Sequence, residues 1–380
     1  MHIILISNYR SDEQYSMLQF SRIVYTGLVK RGIHVTEVYP REIMGKWIRK
    51  SSRWFKWFAY VDKYVIFPRT LKTLRKKLEG GNEPIVFHIC DHSNSIYQKS
   101  LGNFATIITC HDLIAIRSAR GEFEEQNLSI SGFILQKWIQ RNISKVNKVI
   151  CDSEATEKDL NRILPKTMGR SGTSHLSFKN PMKRLNRTVA AKKLPEAFHP
   201  QNGKKHILHV GNNAWYKNRW FVLKTFLELE TKNPNLYHLS LAGAELDSSQ
   251  IQWIQENNLT GKITNPTHLD AKQLEALYSL SDVFVFPSLC EGFGWPPLEA
   301  QCCEVPVIST ENGSLKEVLN KSSFVPSDFT PIAWATSIYS CLANPEVKNR
   351  LIGKGKENIL RFSEEKLLED YLRTYKSLIE

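Results

Sequence analysis

The chain has 380 residues and an apolar share of 42%, enough for two domains with ordinary cores and too apolar for a disordered chain. Fifty-one Lys/Arg against 38 Asp/Glu leave a net charge of +13 and a pI near 9.3, which points to an anionic partner: a nucleotide, a nucleic acid or an acidic membrane surface. Seven scattered cysteines with no Cys-x-x-Cys exclude a zinc ribbon or disulfide framework and suit a reducing, cytoplasmic setting. The apolar run after Met1 is too short for a signal peptide, and no run approaches the ~20 residues of a membrane-spanning helix.

Ile3 to Ser7 reads as a buried strand, and Ser11 with Gln14 as a capping box opening a helix to about Arg31. Gly32 ends it, and Ile33 to Tyr39 alternates as a second strand. This β-α-β opening predicts a parallel, doubly wound sheet. Residues 41 to 80 carry twelve Lys/Arg against three acids, with Trp47, Trp54, Trp57, Tyr60 and Tyr64 among the cations. At ~100° per residue, Trp47, Trp54, Phe58 and Val61 share a stripe, and Lys46, Arg49, Lys50 and Arg53 oppose it. Two readings stay open here. One is a helix with an aromatic core face. The other is a peripheral contact of residues 46–64 with an anionic membrane, on its inner, cytoplasmic face.

Strands follow at Pro84–Cys90, Thr106–Cys110 and Lys148–Asp152, with Ser174–Phe178 as a last one. Ligands of open α/β sheets sit beyond the carboxyl ends of strands, which puts His92, His111 and Glu154 on that rim. Residues 181–204 are basic, contain three prolines and lack a clear period, so they read as a linker. The pattern then restarts. His206–Val210 is a strand, Gly211 to Asn218 a loop, and a helix runs to about Thr231. Another strand spans 237–242.

The most informative stretch is Pro287-Ser-Leu-Cys-Glu-Gly-Phe-Gly-Trp-Pro-Pro-Leu-Glu299. A strand at 282–286 runs into a glycine loop and then a helix begun by Pro296 and Pro297. Such a unit aims backbone N–H groups at an anion. Glu291 on the loop and Glu299 in the helix's first turn are carboxylates able to accept hydrogen bonds from hydroxyls. A phosphorylated sugar carries both kinds of group. A final amphipathic helix covers about 364–380.

The second half resembles the retaining family-4 glycosyltransferases (glycosyl transferases group 1) of GT-B fold. The resemblance rests on His209-Val-Gly211 with Lys217-Asn218, Glu275-Ala-Leu-Tyr278, Ser281–Ser288, Glu291-Gly-Phe-Gly294, Pro297-Leu-Glu-Ala300, Val305-Pro-Val-Ile308 and Gly313–Val318. The first half matches more weakly, through Cys110-His-Asp-Leu113 and Asp152-Ser-Glu154. The resemblance implies an α/β chain of two Rossmann-like domains facing a cleft. Residues 1–180 would bind acceptor and 205–363 the donor, with the last helix packing back on the first domain.

The implied activity is transfer of a sugar from a nucleotide-sugar donor to a saccharide or lipid-linked acceptor hydroxyl, with anomeric configuration retained, in surface polysaccharide or glycolipid assembly. Lys217 would stabilise charge developing on the diphosphate, helped by Gly211, Asn212 and the Gly292-Phe293-Gly294 loop. Glu299 would take the ribose hydroxyls and Glu291 those of the donor sugar. His111 would close over the sugar from the other domain. No Asp-x-Asp occurs, so neither a metal nor another cofactor is expected.

Three positions depart from the family pattern. Asn212 stands where an Arg is usual, leaving Arg219 as the nearby substitute. The loop Asn8–Gln14 lacks glycine. Glu304 replaces the Gly before Val305-Pro-Val. Two other functions stay open on the residues: a sugar-nucleotide epimerase or hydrolase of the same architecture, and a basic nucleic-acid-binding protein. No nucleic-acid module is recognisable, so nucleic acid is not the expected partner. Base, sugar and acceptor leave no side-chain signature.

Overall fold

A computed structural model describes every residue of the chain other than 13, 48–51, 53, 124–128, 179–180 and 202. It divides into two compact units, Met1–Lys179 with Phe362–Glu380, and Asn180–Arg361. Among the described residues, no helix is long and apolar enough to cross a membrane.

Unit 1 is built on a parallel sheet of β1 (His2–Ile6), β2 (His34–Val38), β3 (Ile85–Ile89), β4 (Ala105–Cys110), β5 (Lys148–Cys151) and β6 (Ser171–Thr173), in the order β2-β1-β3-β4-β5-β6. β1 and β3 are buried along their whole length because helices cover both faces, which is why they read as unbroken apolar runs. The last strand is Ser171–Thr173, a few residues before the one expected. The capping box at Ser11 does not form: the helix is Tyr15–Lys30, and its N-cap Gln14 makes no side-chain cap. Gln14 instead accepts a hydrogen bond from Asn8 Nδ2.

The aromatic, basic segment becomes a 3₁₀ turn at Gly45–Trp47 and a helix from Phe55 to Leu78 interrupted by a π turn at Asp62–Ile66. Arg49, Lys50 and Arg53 of the expected basic arc lie outside the described residues. Ala59, Asp62, Phe67 and Leu71 are the positions this helix buries, whereas Trp54, Trp57 and Val61 are exposed. The expected aromatic core face is therefore not the one turned inward. Buried Asp62 accepts from the amides of Ile43, Met44 and Gly45 and from the Tyr9 hydroxyl, which satisfies its carboxylate and pins the preceding loop.

The closing helix Glu364–Lys376 belongs to unit 1. Gly27 leaves room for Leu368, since a Cβ there would overlap that side chain. Tyr375 Oη lies 2.7 Å from His88 Nδ1, and Tyr371 Oη 2.7 Å from Thr109 Oγ1, so two hydroxyls tie the helix into the sheet.

Unit 2 carries a second parallel sheet: β7 (Lys205–Gly211), β8 (Tyr237–Gly243), β9 (Ile263–Thr264), β10 (Val283–Phe286) and β11 (Val307–Ser309), ordered β11-β10-β7-β8-β9. The stretch 181–204 differs from the expected linker. It contains the helix Arg187–Lys193, capped by Asn186, and it buries Ala190 and Leu194. Lys183 N donates to Glu275 Oε1 and Leu185 N to Ser279 Oγ, both at 3.0 Å. Three prolines and the basic composition hid a short amphipathic turn of helix docked on Ala271–Leu280.

Candidate functional site

In unit 2 the rim residues come from the carboxyl ends of β7 and β10. β7 ends at Gly211, where a Cβ would sit 3.1 Å from His209 Nε2 and 3.5 Å from Lys217 Cβ, so a side chain there would press on the His209 ring. Asn212 is exposed, and its Oδ1 accepts from Ala214 N, a side-chain turn that shapes the loop. Asn218, in the left-handed conformation at φ 55°, then starts the helix Arg219–Lys232. This short loop carries Lys217 back over the end of β10.

Lys217 Nζ donates to Glu291 Oε1 at 2.7 Å, and both side chains are largely buried. Ser288 Oγ donates to the same carboxylate oxygen at 2.6 Å. The two loops are also sewn together by Leu289 N donating to Tyr216 O at 2.8 Å. The turn at 312–314 supports the Glu291 loop from below. Ser314 N donates to Glu291 O and Ser314 Oγ to Phe293 O. Gly313, at φ +58°, passes so close that a Cβ would lie 2.7 Å from Glu291 O. The Gly313–Val318 motif is thereby a backbone support for Glu291.

Gly294 is left-handed at φ +98° and caps the helix Trp295–Cys302. Gly292 and Phe293 lead into that helix end, with Phe293 buried. Glu299 is the fifth residue of this helix, one place beyond the first turn expected from sequence. Tyr278 Oη donates to Glu299 Oε2 at 3.0 Å and reaches Pro296 O at 3.2 Å. Burial pushes the Glu299 carboxyl up to about 7, against the opposing effect of the Tyr278 hydrogen bond. Tyr278 and Ser288 belong to runs that carry the resemblance, but their bonds to Glu299 and Glu291 appear only in three dimensions. In sequence the first is an apolar helix position and the second a strand-end serine.

Arg219 is buried rather than turned to the rim. Its guanidinium donates to Asn213 Oδ1, Ala244 O and Leu241 O, which ties the β7 loop to the end of β8. Burial lowers its pKa to about 10. These partners make it a structural strut in this arrangement. Glu304 adopts φ 58°, so the turn before Val305-Pro-Val is the left-handed one that glycine would favour, made by a residue that bears its strain.

In unit 1, His111 follows β4 and Asp152 follows β5. The register pairs Cys110 with Cys151, so the next residues stand side by side. His111 Nδ1 lies 2.5 Å from Asp152 Oδ2, and Nε2 donates to Cys90 O at 2.8 Å. Burial alone would lower the imidazole pKa, but the Asp152 carboxylate outweighs it and lifts the value to about 9. Both ring nitrogens are engaged within unit 1. Likewise, Ile6 pairs with Ile89, and two residues on Asn8 Nδ2 donates to Asp91 Oδ2 at 2.6 Å. His92 is buried next to Asp91, whereas Glu154 is exposed at the first position of its helix. Among the described residues, the one group with metal-ligand spacing, His2, His34 and Glu83, lies at the amino-terminal end of the sheet, away from this rim.

Residues 191–358, nearly all of unit 2, match the family Glycosyl transferases group 1. The chain is similar to O-antigen chain mannosyltransferase B of Escherichia coli, 27% identical over 175 residues, which are 46% of each chain. It is similar also to O-antigen chain mannosyltransferase RfbU of Salmonella typhimurium, 26% identical over 38% of this chain and 40% of that one. The aligned regions span less than half the length of these relatives. The chain resembles in fold the crystal structure of Anabaena HepE in complex with UDP and glucose, with a TM-score of 0.72, 13% identity and 99% of each chain covered. Sucrose-phosphate synthase from Thermosynechococcus elongatus gives a TM-score of 0.69 at 18% identity, covering 100% of this chain and 99% of that one. The fold shared with these structures is the GT-B architecture.

Proposed function

We propose, from the match of residues 191–358 to the glycosyl transferases group 1 family, that the protein transfers a sugar from a nucleotide-sugar donor to an acceptor hydroxyl with retention and without a metal. The observation that carries the reading is the Lys217–Glu291 pair at the sheet rim, beside the left-handed Gly294 that opens a helix N-terminus. In the reaction the bond from the sugar's anomeric carbon to the phosphate oxygen breaks, and its electron pair stays on the diphosphate. The acceptor oxygen bonds to the same face of that carbon, and its proton passes to the departing phosphate oxygen. Charge therefore grows on the diphosphate. Lys217 supplies a cation for it, and the amides of Gly292, Phe293 and Gly294 supply donors in a partly desolvated site.

Glu291, oriented by Ser288, holds donor-sugar hydroxyls once Lys217 turns to phosphate. Glu299 takes the ribose hydroxyls through Oε1 while Tyr278 holds Oε2. The absence of Asp-x-Asp from the sequence supports metal independence. Similarity to O-antigen mannosyltransferases supports a role in surface polysaccharide or glycolipid assembly, with a saccharide or lipid-linked acceptor. His111 is proposed to contribute as a cationic, Asp152-paired ring of unit 1. The exposed tryptophans of the segment 46–64 support peripheral contact with an anionic membrane.

The test is a panel of UDP, GDP, ADP and dTDP sugars read by saturation-transfer NMR, followed by product analysis with and without acceptor. Transfer that persists in EDTA is expected. A strict metal requirement would refute the metal-free reading, and turnover without acceptor would favour an epimerase or hydrolase.

A further inference from the structure

The amino-terminal end of the unit 1 sheet carries a side-chain cluster that the transfer reading does not use. His2 and His34 open β1 and β2 and stand directly opposite each other in the parallel register. Their side chains therefore leave the sheet on one face, with Thr36 two residues along on the same face. The two rings stack, with centroids 3.7 Å apart and planes 6° from parallel. Glu83 is brought alongside by the start of β3, where His2 N donates to Pro84 O at 2.9 Å. Its Oε2 lies 3.2 Å from His34 Nδ1. One ligand atom from each of the three residues lies within 4.8 Å of the other two.

The surroundings of each residue suit an ion. His2 is buried, and its Nε2 lies 2.8 Å from Thr36 Oγ1. A hydroxyl on one ring nitrogen leaves the other, Nδ1, as the ligand nitrogen, which is the outer-shell arrangement of metal-bound histidines. Burial, and after it the neighbouring His34, lower the His2 pKa, so the ring is neutral and its lone pair available at neutral pH. The 3.2 Å between His34 Nδ1 and Glu83 Oε2 is about the separation of two ligands on one tetrahedral ion with bonds of ~2.1 Å. Glu83 Oε1 lies 3.2 Å from the Met1 amine, and hydrogen bonds from that amine and from His34 hold its carboxyl below the usual range. Two stacked rings do not both aim a lone pair at one ion. The His34 side chain is 60% exposed, however, and has room to swing off the stack, whereas His2 is fixed. Glu83 also lines an open cleft of about 590 Å³, which gives the ion and its water a path from solvent.

We propose that His2, His34 and Glu83 bind one divalent transition-metal ion of zinc type, with His34 turning off the His2 ring to complete the site. Two imidazoles and a carboxylate select such an ion over magnesium or calcium, which take oxygen ligands. Three protein ligands leave a fourth position to water. The ion is structural. It joins β1, β2 and the segment ahead of β3, and it lies at the other end of the strands from His111 and Asp152. The site is therefore independent of the transfer reading, and metal-free transfer is compatible with an ion here.

Calorimetric titration of Zn²⁺ into the full chain, free of any polyhistidine tag and stripped with EDTA, tests it. Wild type is expected to bind one ion and to melt at a higher temperature with it, since the ion binds the folded state. His34→Ala and Glu83→Gln are each expected to weaken binding at least ~10-fold. Both side chains are exposed, so the metal-free melting temperature of each variant should stay near that of wild type. Thr36→Val should also weaken binding ~10-fold, because it releases the His2 tautomer. Unchanged affinity in that variant would overturn the role of Nδ1. Co²⁺ in place of Zn²⁺ reports the ligand type. Visible bands without thiolate charge transfer are expected, whereas thiolate bands would put the ion on the cysteines and overturn the site. Binding unchanged by His34→Ala, or no saturable binding by wild type, overturns it as well. Transfer in EDTA is a separate readout: its loss would refute the metal-free reading and leave this site standing.

Discussion

Tyr278→Phe removes one hydroxyl, buried and 3.0 Å from Glu299 Oε2, and leaves the ring in place between the two helices. A hydrogen bond to a charged group contributes ~1.5–3 kcal/mol, and it favours the ionised carboxylate. Glu299 already titrates near about 7, because burial raises it. At ~1.4 kcal/mol per tenfold, the low end of that range moves its midpoint up by about one pH unit. The ionised fraction at neutral pH then drops from about one half to about one tenth. A ribose hydroxyl donates well only to the ionised form, so nucleotide affinity should fall ~5-fold at pH 7 and recover towards wild type by about pH 9. The assay is calorimetric titration with the best-binding nucleoside diphosphate of the panel, between about pH 6 and pH 9. Wild type should bind more tightly as pH rises through 7. A Kd ratio between variant and wild type that stays constant over this range would mean the hydroxyl acts only through packing. Superimposed curves would mean that Glu299 does not bind the ribose.

Lys217→Ala should lower transfer by ~10²–10³-fold, the loss typical of removing one transition-state charge donor. It also leaves Glu291 without its cation, so Lys217→Ala/Glu291→Gln should regain stability without regaining transfer. A well-folded single variant with unchanged rate would end the assignment. Glu304→Gly should stabilise unit 2 by ~0.5–1 kcal/mol in urea titration, because relief of the left-handed strain exceeds the added unfolded-chain entropy. The exposed Lys356–Glu304 contact it deletes offsets little of this. Tyr375→Phe should destabilise unit 1 by ~1–3 kcal/mol, since it leaves a buried nitrogen of His88 without a partner. Burial holds His88 at about 3, so the folded chain keeps it neutral while the unfolded chain protonates near 6.5. The sign follows: stability should fall as pH drops below about 6.5, and an acid melting profile rising instead would contradict it.

Much of the proposed donor site was legible locally. Glycines at 292 and 294, prolines at 296 and 297 and the flanking β-branched strands specify a strand–loop–helix unit through backbone preferences alone, and Gly294 is indeed left-handed. Boundaries that depend on docking were not legible. The stretch 181–204 looked like a linker because its short helix is held by docking on Ala271–Leu280, which no local pattern shows. Arg219 looked like the substitute for the missing arginine, yet its guanidinium is spent on Asn213 of the β7 loop and on two carbonyls at the end of β8.

What the amino-acid sequence determined by itself was the kind of structure and the residue types of the site: two doubly wound α/β units, a basic chain and two carboxylates flanking a glycine loop. Those features follow from periodicity and backbone preference, which act over a few residues. Only the tertiary structure decided the partnerships. Lys217 meets Glu291 across 74 residues, Tyr278 holds Glu299, and His111 pairs with Asp152 because β4 and β5 align Cys110 with Cys151. Strand order and register set which side chains become neighbours, and both are fixed by burial of whole sheet faces rather than by any local run. The same reason explains the tryptophans of unit 1. Their pattern was visible in the chain, but only the packing of Ala59, Asp62 and Phe67 inward showed which face was left outside.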